Sequence, residues 1–112
     1  MILTQGEKVH IIHRRQYEKD HHRHFAGVVE AYEGGVARVT GNVYTVDPVK
    51  FTFLRRAETR TRLVAIASGD VLVNVLPASV KIDKITYKQQ RNAVRVTDGS
   101  DWYLDLSEYT WM

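Results

Sequence analysis

The 112-residue sequence holds no cysteine, which removes disulfide frameworks, thiolate metal sites and thiol nucleophiles at once. The fold must be held by burial and hydrogen bonding alone, and a cytoplasmic location is the expectation. No window reaches the ~20 consecutive apolar residues that a membrane-spanning helix needs; Gly69, Asp70 and Asn74 break the longest stretch. Residues 1–6 lack the basic and apolar regions of a signal peptide, so neither export nor a membrane partner is expected. No repeat of 20–50 residues and no low-complexity tract is present, which sets solenoids and propellers aside.

The signatures that name an enzyme are missing as well. There is no Gly-x-Ser-x-Gly elbow, no Gly-x-x-x-x-Gly-Lys-Ser/Thr loop, no His-Glu-x-x-His helix and no Gly-x-Gly-x-x-Gly turn. Carboxylates such as Asp20, Glu30, Asp47 and Asp83 are present, but no spacing selects an acid–base pair among them. The sequence therefore assigns no catalytic residue and no cofactor.

What is there is ordinary globular composition, 44% apolar with 26% charged residues of both signs, in a length that supports one core. Short runs rich in Val, Ile, Thr, Tyr and Phe recur at residues 9–12, 25–32, 36–46, 51–54, 63–67, 71–76, 82–87, 94–96 and 102–106. Glu33-Gly34-Gly35 reads as a hairpin, Asp47-Pro48 as a strand end, and Ser68-Gly69-Asp70 as a second tight hairpin. Around Gly99, a three-residue loop would pair Val96 with Trp102 and Val94 with Leu104, and would set Arg95 beside Tyr103 on the other face. Helix signals are weak: residues 14–24 offer almost nothing to bury and read as a polar loop or frayed turn. At most one short helical turn is expected after Pro77.

These runs predict a single, mainly β domain, either a small antiparallel barrel or two packed sheets. The Gly6-Glu7-Lys8-Val9 opening, then Ala26-Gly27-Val28-Val29-Glu30 and a glycine hairpin, resembles an SH3-like or Sm-like small barrel over the first 50 residues. That likeness concerns architecture and implies no function.

Three groups of side chains stand out. Residues 54–63 carry Arg55, Arg56, Arg60 and Arg62 against Glu58 alone, and residues 81–95 carry Lys81, Lys84, Lys88, Arg91 and Arg95 against Asp83 alone. If the arginine run is extended, Arg56, Glu58, Arg60 and Arg62 line one face, a guanidinium row whose planar forks suit phosphate oxygens; as an exposed connection it is a solvated surface. Trp102, Tyr103, Tyr109 and Trp111 make the C-terminal segment aromatic to its end, suited to docking on its own domain or on another chain. His10, His13, His21, His22 and His24 fall within fifteen positions, and His22 with His24 would share a face of an extended segment, a partial metal site lacking its further ligands.

The expected function, in order, is a binding module for nucleic-acid backbone or another polyanion through Arg55, Arg56, Arg60 and Arg62 aided by Lys81, Lys84 and Lys88. Next comes a protein-interaction or homo-oligomerisation module using the aromatic tail or an open sheet edge, and last a small metal-dependent or acid–base enzyme.

Overall fold

The computed structural model describes residues 2–13, 22–47, 52–90 and 93–106; of residues 22, 46, 47, 52, 90 and 93 it describes the backbone alone. Eight strands run in chain order: β1 Lys8–His13, β2 His22–Glu33, β3 Val36–Asp47, β4 Thr52–Ala65, β5 Val71–Leu76, β6 Thr86–Gln90, β7 Ala93–Thr97 and β8 Tyr103–Asp105. They make a five-stranded antiparallel sheet in the order β4-β3-β2-β1-β5 and a three-stranded one in the order β6-β7-β8. Of the two architectures expected, the packed pair of sheets is the one formed. The large sheet does not close into a barrel, because β4 and β5 remain its edges. A 3-10 turn, Ile82–Lys84, takes the first half of the run expected as a strand over residues 82–87, and Thr86 and Tyr87 open β6. No helix among the described residues is long and apolar enough to cross a membrane.

Alternation along each strand gives the large sheet two buried faces. Ile12, Ala26, Tyr44 and Phe53 look toward the small sheet and meet Val80, Ile85, Tyr87, Val94, Val96 and Leu106. Val9, Ile11, Phe25, Val29, Val39 and Val64 occupy the far face with Leu3. Two irregularities let one sheet serve both. β2 shifts register between Val29 and Ala31, which moves Tyr32 to the far-face core. Between the pairs Tyr44–Arg55 and Asn42–Thr59, β4 has three residues, Arg56 to Glu58, where β3 has Val43 alone, so β4 bulges and bends there.

Turn chemistry was correct at one expected hairpin, wrong at a second and wrong in loop length at a third. Glu33 pairs with Val36 around Gly34 and Gly35, at φ 56° and 81°, the two-residue turn with positive φ at both central positions. The turn at residues 68–70 does not close a hairpin. β5 leaves β4 and pairs with β1 on the opposite side of the sheet, setting Val71 and Val73 beside His13 and Ile11, where they extend the far-face core. The loop around Gly99 is longer than three residues: Val96 pairs with Leu104, Thr97 with Tyr103 and Arg95 with Asp105. A slip of two preserves the faces, so Val94, Val96 and Leu104 still face inward.

Side-chain hydrogen bonds stabilise that wider loop. Asp98 Oδ1 accepts from the Ser100 amide at 3.0 Å and hydroxyl at 2.5 Å, while Thr97 Oγ1 donates to the Trp102 carbonyl at 2.7 Å. Asp98 Oδ2 also accepts from the Lys81 amide at 2.9 Å, tying the loop to the start of the 3-10 turn. The Ser100 hydroxyl, with the Lys81 and Ser100 amides, holds the Asp98 carboxyl down to about 2.

Candidate polyanion-binding face

The arginine run is a strand. β4 is an edge of the large sheet, and residues 54–63 are exposed without interruption. Its bulge is held by Asn42, a buried side chain whose Nδ2 donates to the Arg56 carbonyl at 3.0 Å and the Glu58 carbonyl at 3.3 Å. Arg55 Nη2 donates back to Asn42 Oδ1 at 3.2 Å. The bulge therefore has its carbonyls satisfied by one amide and keeps Arg56 in a defined, exposed position.

Register divides the arginines between faces. Arg60 and Arg62 pair with Gly41 and Val39 and belong to the far face, while Arg55 pairs with Tyr44 on the face toward the small sheet. Arg60 forms an exposed ion pair with Glu58 at 2.6 Å, an interaction worth about 0–1 kcal/mol. The Arg62 guanidinium lies 5.7 Å from the centroid of the Phe25 ring, and Phe25 is itself a far-face residue.

The lysines sit elsewhere. Lys81 and Lys84 bracket the 3-10 turn, and Lys88 lies on β6 opposite Arg95, next to the inward-facing Tyr87. All three are exposed, but Lys88 faces outward from the small sheet, whereas Arg60 and Arg62 lie on the large-sheet face turned away from it. The two basic segments are not joined into one row. No family model, curated protein or solved structure matches the chain. The geometry of the face itself therefore carries the functional reading.

One far-face cation was missed from sequence. Arg23 belongs to β2 rather than to a polar loop, and it pairs directly with His13 of β1. The signal was available: once His24 and Ala26 are placed inward by alternation, Arg23 must follow Phe25 outward. Burial, followed by the Arg62 and Arg23 charges, holds the His13 imidazole below its ordinary value.

The aromatic and histidine candidates have other surroundings. Trp102 packs partly buried against the core between the sheets, and Tyr103 is exposed with the Arg95 guanidinium 4.2 Å from its ring centroid. Tyr109 and Trp111 lie outside the described residues, as does the side chain of His22. His24, read as part of a solvated loop or a partial metal site, is a fully buried residue of β2 facing the small sheet. Among the described residues no group of three or more His, Cys, Asp or Glu converges as metal ligands.

His24 instead meets His10 and Tyr87. The Tyr87 hydroxyl is 2.8 Å from His10 Nε2 and 2.6 Å from His24 Nδ1, with the imidazole centroids 5.0 Å apart. A phenol has one proton, so it donates to one ring and accepts from the other. His10 Nδ1 is buried with no hydrogen-bond partner.

Burial lowers the His10 imidazole from 6.5 to about 4. Between those values the unfolded chain binds a proton that the folded chain refuses. Stability is therefore complete above pH 6.5 and falls as the pH drops toward 4. The expected loss is about 3 kcal/mol over that window, with a limiting slope of about 1.4 kcal/mol per pH unit. Urea denaturation at a series of pH values from 7.5 to 4.5 measures it, and a flat profile would rule it out. The His13 shift acts in the same direction, while Asp98 contributes only at lower pH, as it protonates between 3.8 and 2.

Proposed function

We propose that the protein is a small two-sheet module that binds the backbone of a single-stranded nucleic acid along the β4 edge. The observation that carries this reading is the unbroken exposure of residues 54–63 on an edge strand bearing Arg55, Arg56, Arg60 and Arg62 against one carboxylate, Glu58. The strand is extended and bent by its bulge, so its guanidinium groups follow a curved path and leave on both faces of the sheet. An edge of this kind can track a flexible phosphate chain that threads over it, for which a single flat basic face is not required.

The competing reading is strand pairing with another protein, favoured by the open edge and by Leu54 and Leu63, which are 53% and 68% exposed. Charge supports the first. An antiparallel copy docked on β4 would bring one arginine run against another, and such charged edges oppose pairing between chains.

The test is fluorescence anisotropy of a random single-stranded RNA at low and physiological salt, against a variant with Arg55, Arg56, Arg60 and Arg62 all changed to Glu. Four neutralised phosphates predict a slope of about −3 in log affinity against log salt, which the folded variant loses. Absence of binding at low salt, or equal binding by the variant, rejects the proposal. A dimer that survives both high salt and the charge reversal supports strand pairing instead.

A further inference from the structure

The far face carries a more specific arrangement than a row of charges. His13 and Arg23 are cross-strand partners on β1 and β2. Phe25 follows Arg23 on the same face, and the Arg62 guanidinium from β4 lies over its ring. Phe25 is 1% exposed, so the ring is a fixed floor that restrains a long side chain otherwise free to sample many rotamers. His13 Nε2 is buried without a hydrogen-bond partner, beside these two guanidinium groups. The remaining cross-strand neighbour of His13 is Val71 of β5, which brings no charge. A buried imidazole nitrogen and two convergent cations lack, among the described residues, an anion to satisfy them.

We propose that His13, Arg23 and Arg62 form a phosphate-binding site, in which a phosphate oxygen accepts from His13 Nε2–H and the two arginines hold the remaining oxygens through charge-assisted hydrogen bonds. The site rests on the polyanion reading for its natural ligand, a phosphodiester of the bound strand, but its chemistry equally takes a small phosphate ester. A bound anion reverses the balance at His13: the charge that the two arginines oppose becomes favoured, so the imidazole takes up a proton as the ligand enters. Arg62 serves as the pre-organised member because Phe25 fixes it. Arg23, exposed and without such a floor, supplies the second fork.

The experiment follows the His13 ring by NMR during titration with inorganic phosphate at pH 6.5, with sodium chloride added to matched ionic strength as control and His13→Gln to assign the signal. The expected result is a saturable shift at His13 that chloride does not reproduce. His10, shut in the core, should remain still. The shift should be accompanied by a rise in the His13 pKa, and phosphate affinity should be about tenfold weaker in each of Arg23→Gln and Arg62→Gln. Both arginines are exposed, so the variants should keep the dispersed spectrum of the folded protein. A non-saturable response, a response shared with chloride, or unchanged affinity in both variants overturns the site. Random single-stranded RNA forms the second arm. RNA that binds without moving His13 overturns the site and leaves the polyanion reading standing. Phosphate that titrates His13 in a protein that binds no RNA rejects the polyanion reading and assigns the site to a small phosphate ester.

Discussion

Gly41→Ala is expected to destabilise the protein by at least about 4 kcal/mol, most of the stability of a domain at the low end of the ordinary range of about 5–15 kcal/mol. Gly41 of β3 and Gly27 of β2 are direct partners in the ladder, and both are buried. A Cβ added at Gly41 would lie 2.6 Å from Gly27 Cα and closer still to the Ala26 carbonyl oxygen. At Gly27 it would lie 2.7 Å from the Thr40 carbonyl carbon, again with the oxygen nearer. The obstacle in each case is backbone, which cannot rotate aside as a side chain would. The two strands have to separate at their middle, and β2 and β3 are the strands that join the β1–β5 half of the sheet to β4. Separation there would disturb the far-face core, including Phe25 and Val39 on either side of the pair, together with the position of Arg62 over Phe25. Thermal and urea melts followed by circular dichroism give the measurement. A Gly41→Ala protein within about 1 kcal/mol of wild type would mean that the ladder relaxes without loss.

This pair shows where the sequence was legible and where it was not. The mainly β class, the Gly34-Gly35 hairpin and the inward set Val94, Val96 and Leu104 all follow from residue type and period two, which are local properties. The pairing of β5 with β1 is not local. Ser68-Gly69-Asp70 has the composition of a hairpin turn, and only the apolar demand of β1, whose Val9 and Ile11 need neighbours such as Val73, sends the chain to the other edge. The bulges were hidden for a related reason. Strict alternation puts Tyr32 opposite its observed face, and nothing within Val29-Glu30-Ala31 announces the shift. At the candidate site, alternation correctly places Arg60 and Arg62 on the face opposite Arg55, since the β4 bulge adds an even number of residues between them. The contribution of Arg23 and His13 was lost because the polar stretch at residues 14–24 masked the start of a strand whose next residues, Phe25 and Ala26, are core. The polar cluster of His10, His24 and Tyr87 joins residues more than sixty positions apart and was outside the reach of any spacing rule.

Tyr87→Phe is expected to cost about 4 kcal/mol, although it removes a single oxygen from the core. That oxygen serves two buried imidazole nitrogens, and each group deprived of its partner carries a penalty of about 1–3 kcal/mol. The ring itself keeps its packing: Phe53 stacks on it at 5.4 Å and 12°, and Tyr44 lies 5.4 Å away, contacts a phenylalanine would retain. The loss therefore isolates the hydroxyl. Burial holds the Tyr87 phenol well above its usual value, so the neutral donor–acceptor is the form removed at every pH of interest. Replacing the imidazoles as well, in a Tyr87→Phe, His10→Leu, His24→Leu variant, should recover part of the stability, because no stranded polar atom then remains in the cluster. It should also reduce the acid limb between pH 6.5 and 4, since His10 no longer refuses the proton there and the His13 contribution is what remains. A Tyr87→Phe loss below about 1 kcal/mol, or a triple variant less stable than the single one, would defeat this account. The cluster draws one member from each of β1, β2 and β6, and β6 belongs to the other sheet. Apolar contacts alone would tolerate a slide of the small sheet over the large one; a hydroxyl held between two imidazoles does not, so the polar triad fixes the register in which the two sheets pack.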